Sequence, residues 1–344
     1  MNRRAFLHSA AATIATLALA RSSFSDTGKL THKERVDRAL SGQDVDRPPF
    51  TFYLHYKRPT AQLEAQDHLD FHRAYITDIV KVMNDFDYPK STTGKWWELK
   101  PLDSPYPQQL ETLRIIRDNL NGDAYFIDTL YGPYMTAMIL FQSQPAYAKL
   151  GNSRAETMKI INDLRDFQRQ HTDQWQTALE AITQSTVNHI HSSKQIGSSG
   201  ALVSIFNSHT DYGPVTDYNR FSRPYDKRVI DALTDTKLSV LHLHNLDRPY
   251  LDQFRDFTVP VLQYSVKESG IPIADARKMY KQTIAGGVDE IDFKSLTADQ
   301  MRDQWKSAHA AAGAKYIAAP GCSVPNSSTP AELSRFPRSL GALA

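Results

Sequence analysis

Eight short apolar runs, separated by stretches with helical periodicity, leave few folds open to this chain. They cover residues 50–54, 85–88, 124–129, 202–207, 238–244, 259–264, 283–288 and 315–319. Several are rich in Val, Ile, Phe and Tyr, as strands buried on both faces should be. Between the third and fourth, Met158, Ile161, Leu164, Phe167, His171, Trp175, Leu179 and Ile182 recur every three or four residues. That spacing predicts one long amphipathic helix or two in line. Residues 226–233, 251–257, 273–280 and 298–312 show the same helical period. Eight strands alternating with helices predict an α/β chain folded as a single-domain (β/α)8 TIM barrel. The rival is an open doubly wound sheet, but no glycine-rich phosphate loop follows an early strand. With 344 residues and 41% hydrophobic side chains, the chain can bury a sizeable core.

Residues 1–20 read as an address. Arg3-Arg4 precedes a mild apolar run from Ala10 to Ala20, and Ala18-Leu19-Ala20 offers a small-x-small cleavage pattern. Paired arginines before a weakly hydrophobic stretch resemble a bacterial twin-arginine signal. The expectation is a periplasmic or otherwise exported protein, loaded with any metal or cofactor before export. The run is shorter than the roughly 20 apolar residues of a membrane span, so no stable span is expected after cleavage. Residues 21–30 read as a polar linker, and residues 31–344 as the barrel. A formal charge of +2, without an arginine-rich arm, points away from nucleic acid and toward a small-molecule substrate. The single cysteine, Cys322, has no partner for an intramolecular disulfide.

At the start of the barrel region, Thr31-His32-Lys33-Glu34 has the spacing of a helix capping box, and Gly42 is a stop. Thr31 to Val36, Ala39-Leu40-x-Gly42 and Asp46-Arg47-Pro48-Pro49 follow one another. Later come Gly132-Pro133-Tyr134, the segment Tyr218 to Val229, Leu241-His242-Leu243-His244-Asn245, Gly286-Gly287-Val288-Asp289, and Pro320-Gly321-Cys322-Ser323-Val324-Pro325. In this order and spacing the blocks resemble the uroporphyrinogen decarboxylase superfamily across roughly residues 31 to 330. Asn207 stands where many members carry aspartate. The resemblance implies a barrel with its site at the C-terminal ends of the strands. It also implies either decarboxylation of a tetrapyrrole or zinc-dependent methyl transfer between corrinoids and thiols.

The chain departs from the decarboxylase pattern. In place of an arginine-rich grip it has Tyr53-Leu54-His55-Tyr56-Lys57-Arg58-Pro59. Lys57 and Arg58 are too few for a substrate with many carboxylates, and the aspartate that would polarise it is either Asp85 or Asp87. The methyltransferase branch fits better. His242 and His244 lie two apart on a strand and share a face, and Cys322 follows the last strand. The branch's middle cysteine is replaced by His244, but a His-His-Cys set still suits Zn²⁺ and leaves a fourth position open. The structural alternative is a pair of hydrogen-bonded histidines beside a small apolar cysteine.

His209 and Asp211 follow the fourth run and, with Asp87, are candidates for proton transfer; a solvated loop is the open alternative. Tyr53, His55, Lys57, Asn207 and Tyr212 are candidates for substrate contact. Tyr131 and Tyr264 read as barrel rim. His189 and His191 fall in a helix, where their side chains diverge, and read as surface. The reading that follows is zinc-dependent methyl transfer, with a corrinoid or corrinoid protein as donor. A metal-free lyase and a non-catalytic exported binding protein are the alternatives.

Overall fold

The computed structural model describes residues 29–344 apart from 148, 152 and 245–248; the expected signal at residues 1–20 and most of the expected linker lie outside the described residues. The capping box is formed. The Thr31 hydroxyl accepts from the Glu34 amide at 3.2 Å, and the Glu34 carboxylate accepts from the Thr31 amide at 2.8 Å. Helix α1 (His32–Ser41) ends at Gly42, whose φ of 75° is the left-handed conformation that glycine adopts without cost.

Helix α2 (Ala61–Tyr75) leads into β1 (Ile79–Lys81), and α3 (Pro107–Leu120) into β2 (Tyr125–Tyr131). Next come α4 (Pro133–Gln142), α5 (Arg154–Gln170), α6 (Thr172–Ile196) and β3 (Ala201–Ile205). Helices α7 (Val215–Phe221) and α8 (Arg223–Asp231) precede β4 (Val240–Leu243), which β5 (Val261–Tyr264) follows. The remaining elements are α9 (Val266–Ser269), α10 (Ile273–Met279), β6 (Thr283–Val288), α11 (Ala298–Ala312), β7 (Tyr316–Pro320) and α12 (Pro330–Ser339).

The strands form one parallel, curled seven-stranded sheet in chain order. Its two edges are β1 and β7. The extended stretch from Pro49 to Thr51 lies between them. The Ala318 amide donates to Pro49 O at 2.8 Å, and the Asp78 amide, just before β1, donates to Phe50 O at 3.0 Å.

Side-chain alternation along the strands builds two layers inside the curl. Ile79, Ile127, Leu202, Val240, Val261, Ala285 and Ile317, one from each strand, pack as an apolar floor. Two residues further toward the C-terminal ends stand Lys81, Thr129, Ser204, His242 and Gln263, all buried. The fold thus lays a polar layer directly on the floor. On the outer face, Val80, Val82 and Phe126 pack with Leu113 and Ile116 of α3. Gly287 of β6 has φ 99°, and a Cβ there would come within 2.3 Å of the Ala308 Cβ, so glycine lets α11 lie against the sheet.

Several expectations change. The second strand is Ile79–Lys81, six residues before the expected run at 85–88, which is loop. Phe86 is half-buried there and Asp87 exposed, whereas Ile79, Val80 and Val82 supply the β-branched, buried positions a strand needs. The first run is extended but meets β7 only through a bridge between Phe50 and Ala318. Residues 251–257 form a short 3₁₀ turn, Leu251–Phe254, rather than an α-helix. The long helical pattern splits at His171 into α5 and α6. The segment from Pro330 forms α12, which buries Leu333 and Phe336. Among the described residues no helix is long and apolar enough to cross a membrane.

Candidate metal centre

His242 is the third residue of β4, in register with Ser204 of β3 and Gln263 of β5, and it projects into the polar layer. His244 lies one residue past the strand's end. The two rings remain neighbours, with centroids 5.6 Å apart. Cys322 arrives from the loop after β7, and its Sγ lies 3.2 Å from His244 Nδ1. One ligand atom from each of His242, His244 and Cys322 falls within 4.8 Å of the others. The His242 Nδ1 atom is buried with no hydrogen-bond partner among the described residues.

Burial lowers the pKa of both imidazoles, that of His244 to about 4, so at neutral pH each ring is neutral. Neutral imidazole is the form that coordinates a metal. Phe206 stacks on His244 with ring centroids 3.9 Å apart, and Tyr53 lies beside His242 at 6.5 Å. These aromatic walls hold the histidines in place, which favours a pre-organised site.

Three groups surround the cluster. Asp85, in the loop after β1, is half-buried and paired with His55; Asp87, the expected catalytic choice, is exposed. Asp85 Oδ1 lies 2.5 Å from His55 Nδ1, and Oδ2 accepts from the Lys57 amide at 3.0 Å. Burial pushes this carboxyl upward, but the His55 and Lys57 hydrogen bonds and the charge of Lys81 hold it below its ordinary value. Lys57 takes φ 53°, turning its amide toward Asp85, and its side chain is exposed. His55 lies near enough to His244 for the two rings to interact electrostatically.

Lys81 was not found from the sequence, because the strand carrying it was placed six residues too late. Its Nζ lies 2.9 Å from Met83 Sδ and 5.3 Å from the Tyr53 ring centroid. Burial lowers its pKa to about 7, against the upward pull of Cys322, Asp85 and Asp128. Glu290, also unforeseen, accepts from the Gly321 amide at 3.1 Å, directly before Cys322. Burial raises the carboxyl pKa of Glu290 and of Glu268. The signal available was Glu290 itself, one residue beyond the Gly-Gly-Val-Asp block.

The structure takes the other candidates elsewhere. Asn207 is buried and its side-chain amide donates to Ser222 Oγ at 2.5 Å, a packing role in the loop after β3. His209 is buried edge-on against Tyr212, at 4.8 Å between centroids. Asp211 pairs with Arg154, 3.3 Å away, and Tyr212 also packs on Tyr134. Tyr131 is half-buried, and Tyr264 lies within the core rather than on a rim. His189 is not surface. It is fully buried between Asp128 of β2, at 2.9 Å, and Ser104, at 2.8 Å, whereas His191 is exposed. The two diverge as a helix requires, and the inward one satisfies a buried carboxylate behind the sheet.

Residues 85–340 match the family described as Uroporphyrinogen decarboxylase (URO-D). The chain belongs to the URO-D family. No curated protein matches this URO-D chain in sequence. Among solved structures, a methyltransferase from Methanosarcina mazei is 16% identical, with a TM-score of 0.71 over 91% of this chain and 99% of that one. A putative vitamin-B12 independent methionine synthase from Listeria monocytogenes is 8% identical, with a TM-score of 0.51 over 81% and 85% of the two chains. At these identities the likeness is one of fold.

Proposed function

We propose that this URO-D protein is an exported enzyme that transfers a methyl group to a thiol with the help of zinc held by His242, His244 and Cys322. The observation that carries the reading is the approach of three ligand atoms to within 4.8 Å from two separate strand ends. We take the sheet to be a (β/α)8 barrel, with residues 49–53 as the stave between β7 and β1, so that the cluster lies at its mouth.

The donor set suits the ion. Two neutral imidazoles and a thiol, one imidazole nitrogen lacking a partner, are good Zn²⁺ ligands and leave one position open. When bound, zinc supplies Lewis acidity that lowers the pKa of a thiol. The chain's own residues do the rest. Asp85 accepts a hydrogen bond from His55 Nδ1–H, which keeps the proton there and leaves Nε2 as the base for the acceptor's proton. Phe206 and Tyr53 wall the site and limit water. A corrinoid is the methyl donor in this reading.

The metal-free lyase reading lacks a grip for many carboxylates, because Arg58 is engaged by Asp67 and Lys57 is exposed. The test uses methylcobalamin with 2-mercaptoethanol. Zinc-loaded protein should consume methylcobalamin, His55→Ala should slow it about 10²–10⁴-fold, and Cys322→Ser should fall to the uncatalysed rate. Wild-type protein no faster than Cys322→Ser would remove the methyl-transfer reading.

Export is tested separately. Replacing Arg3 and Arg4 together by lysine should leave precursor in the cytoplasm, since a twin-arginine route reads the arginine pair. Equal periplasmic yield from the double variant would remove that assignment.

A further inference from the structure

The opposite end of the sheet holds a second group of metal-ligating side chains. His32 is the first residue of α1, His72 lies in the last turn of α2, and Asp123 precedes β2. All three come before strands, so they stand at the N-terminal end, away from Cys322. His72 Nε2 is 3.2 Å from Asp123 Oδ2, and His32 Nε2 is 4.0 Å from the same oxygen. The two imidazole centroids are 5.5 Å apart.

Each ring is also held from behind. His32 Nδ1 lies 2.9 Å from the buried Asp78 carboxylate, and His72 Nδ1 lies 3.0 Å from Thr77 Oγ1. The Asp78 carboxylate fixes the His32 tautomer and turns its Nε2 lone pair outward, which is how metal-binding histidines are oriented, and the Thr77 hydroxyl can accept from His72 Nδ1 in the same way. Both Nε2 atoms face one carboxylate at a cavity of about 160 Å³, with Arg73 and Asn119 in its lining. The backbone around this cavity is unusual too. Ile76 (φ 56°), Asn121 (φ 47°) and Gly122 (φ 80°) all take the left-handed conformation, which is costly for a β-branched residue such as Ile76.

We propose that His32, His72 and Asp123 form a second divalent-metal site, at the end of the sheet opposite His242, His244 and Cys322. Two nitrogens and one oxygen suit Zn²⁺, and the cavity leaves room for water or a small anion in the open position. Ligand atoms on one tetrahedral ion with bonds of about 2.0 Å sit about 3.3 Å apart. The His72–Asp123 pair already has that spacing. The His32 ring must close on Asp123 by roughly 0.7 Å, and the two imidazole nitrogens must draw together as well, since the three ligand atoms do not yet all lie within 4.8 Å of one another. A bound ion would tie α1, α2 and the loop before β2 together at the base of the fold.

Co²⁺ is the probe, because a nitrogen and oxygen site gives visible d–d bands without the thiolate-to-cobalt charge-transfer band that Cys322 would add. The variant combining His242→Ala, His244→Ala and Cys322→Ser should still bind one equivalent with d–d bands alone. Adding Asp123→Asn should weaken that binding at least tenfold. Asp123 is exposed, so this change should leave thermal stability as it was. Should the triple variant fail to fold, wild-type protein is used, and Asp123→Asn should remove one of two equivalents while sparing the charge-transfer band. No cobalt in the folded triple variant, or equal affinity in Asp123→Asn, overturns the site and leaves the three residues as an ion-paired staple.

Discussion

Zinc bound through Cys322 falls to background in Cys322→Ser, His242→Ala and His244→Ala, and stays at the wild-type level in His209→Ala. The ground is geometric. His244 Nδ1 is already 3.2 Å from Cys322 Sγ, and His242 brings a buried nitrogen with no hydrogen-bond partner among the described residues. Zn–N bonds near 2.0–2.1 Å and a Zn–S bond near 2.3 Å need only small closing movements from that arrangement. Losing a supporting residue of a metal site costs about 10–100-fold in affinity, so losing one of three ligands should cost at least that much. His209 is the control because it follows β3 at the same end, yet packs against Tyr212. The measurement is elemental zinc after dialysis against a weak chelator, made in an Asp123→Asn background so that only the zinc at the cysteine is counted. Wild-type protein prepared with zinc but retaining none at the cysteine would reject the site. Loss in His209→Ala alone would mean the wrong histidine was chosen.

Much of this arrangement was legible in the sequence. The alternation of apolar runs and helical periods located β2 through β7 to within a few residues, because those runs combine β-branched content with clear flanks. The same-face argument for His242 and His244 needed a strand long enough to hold both. The strand ends at Leu243, yet His244 continues its direction far enough to keep the rings 5.6 Å apart. Where the reading failed, a charge was responsible. Lys81 interrupts Ile79-Val80 and Val82-Met83 and masks the strand, while the aromatic Phe86 and Tyr88 imitate one in a loop. A lysine inside an apolar run belongs to a strand when it faces a polar interior layer, and periodicity alone cannot show that layer. His189 failed for a related reason: helical spacing shows that it and His191 point apart but not which faces Asp128. The Asp85–His55 pair joins residues 30 apart. Neither spacing nor composition could choose Asp85 over Asp87.

Asp78→Asn should destabilise the fold by about 3–5 kcal/mol, the range for removing one partner of a buried ion pair. Asp78 is fully buried and sits just before β1, where four residues donate to it. Arg35 Nη1 lies at 2.6 Å, Arg47 Nη1 at 2.5 Å, the Phe50 amide at 3.0 Å and His32 Nδ1 at 2.9 Å. One carboxylate thus fastens α1 and the segment at residues 47–50 to the sheet edge. Asparagine keeps the size but replaces one acceptor oxygen by an NH₂ group facing donors, and it leaves the Arg47 guanidinium short of a counter-charge while Arg35 keeps Asp46. Burial pushes the Asp78 carboxyl upward, yet the His32 hydrogen bond and the arginine charges and hydrogen bonds hold its pKa below the ordinary value. A depressed folded-state pKa contributes stability that is present above the unfolded value of about 3.9 and lost as pH falls through the folded value. In chelator-treated protein the gap between wild type and Asp78→Asn should therefore be constant from neutral pH to about pH 5, and narrow below about pH 4. Urea unfolding midpoints at neutral and acidic pH measure both parts. A neutral-pH difference under about 1 kcal/mol would place Asp78 among surface-like ion pairs of little worth, and a gap that widened in acid would contradict the sign.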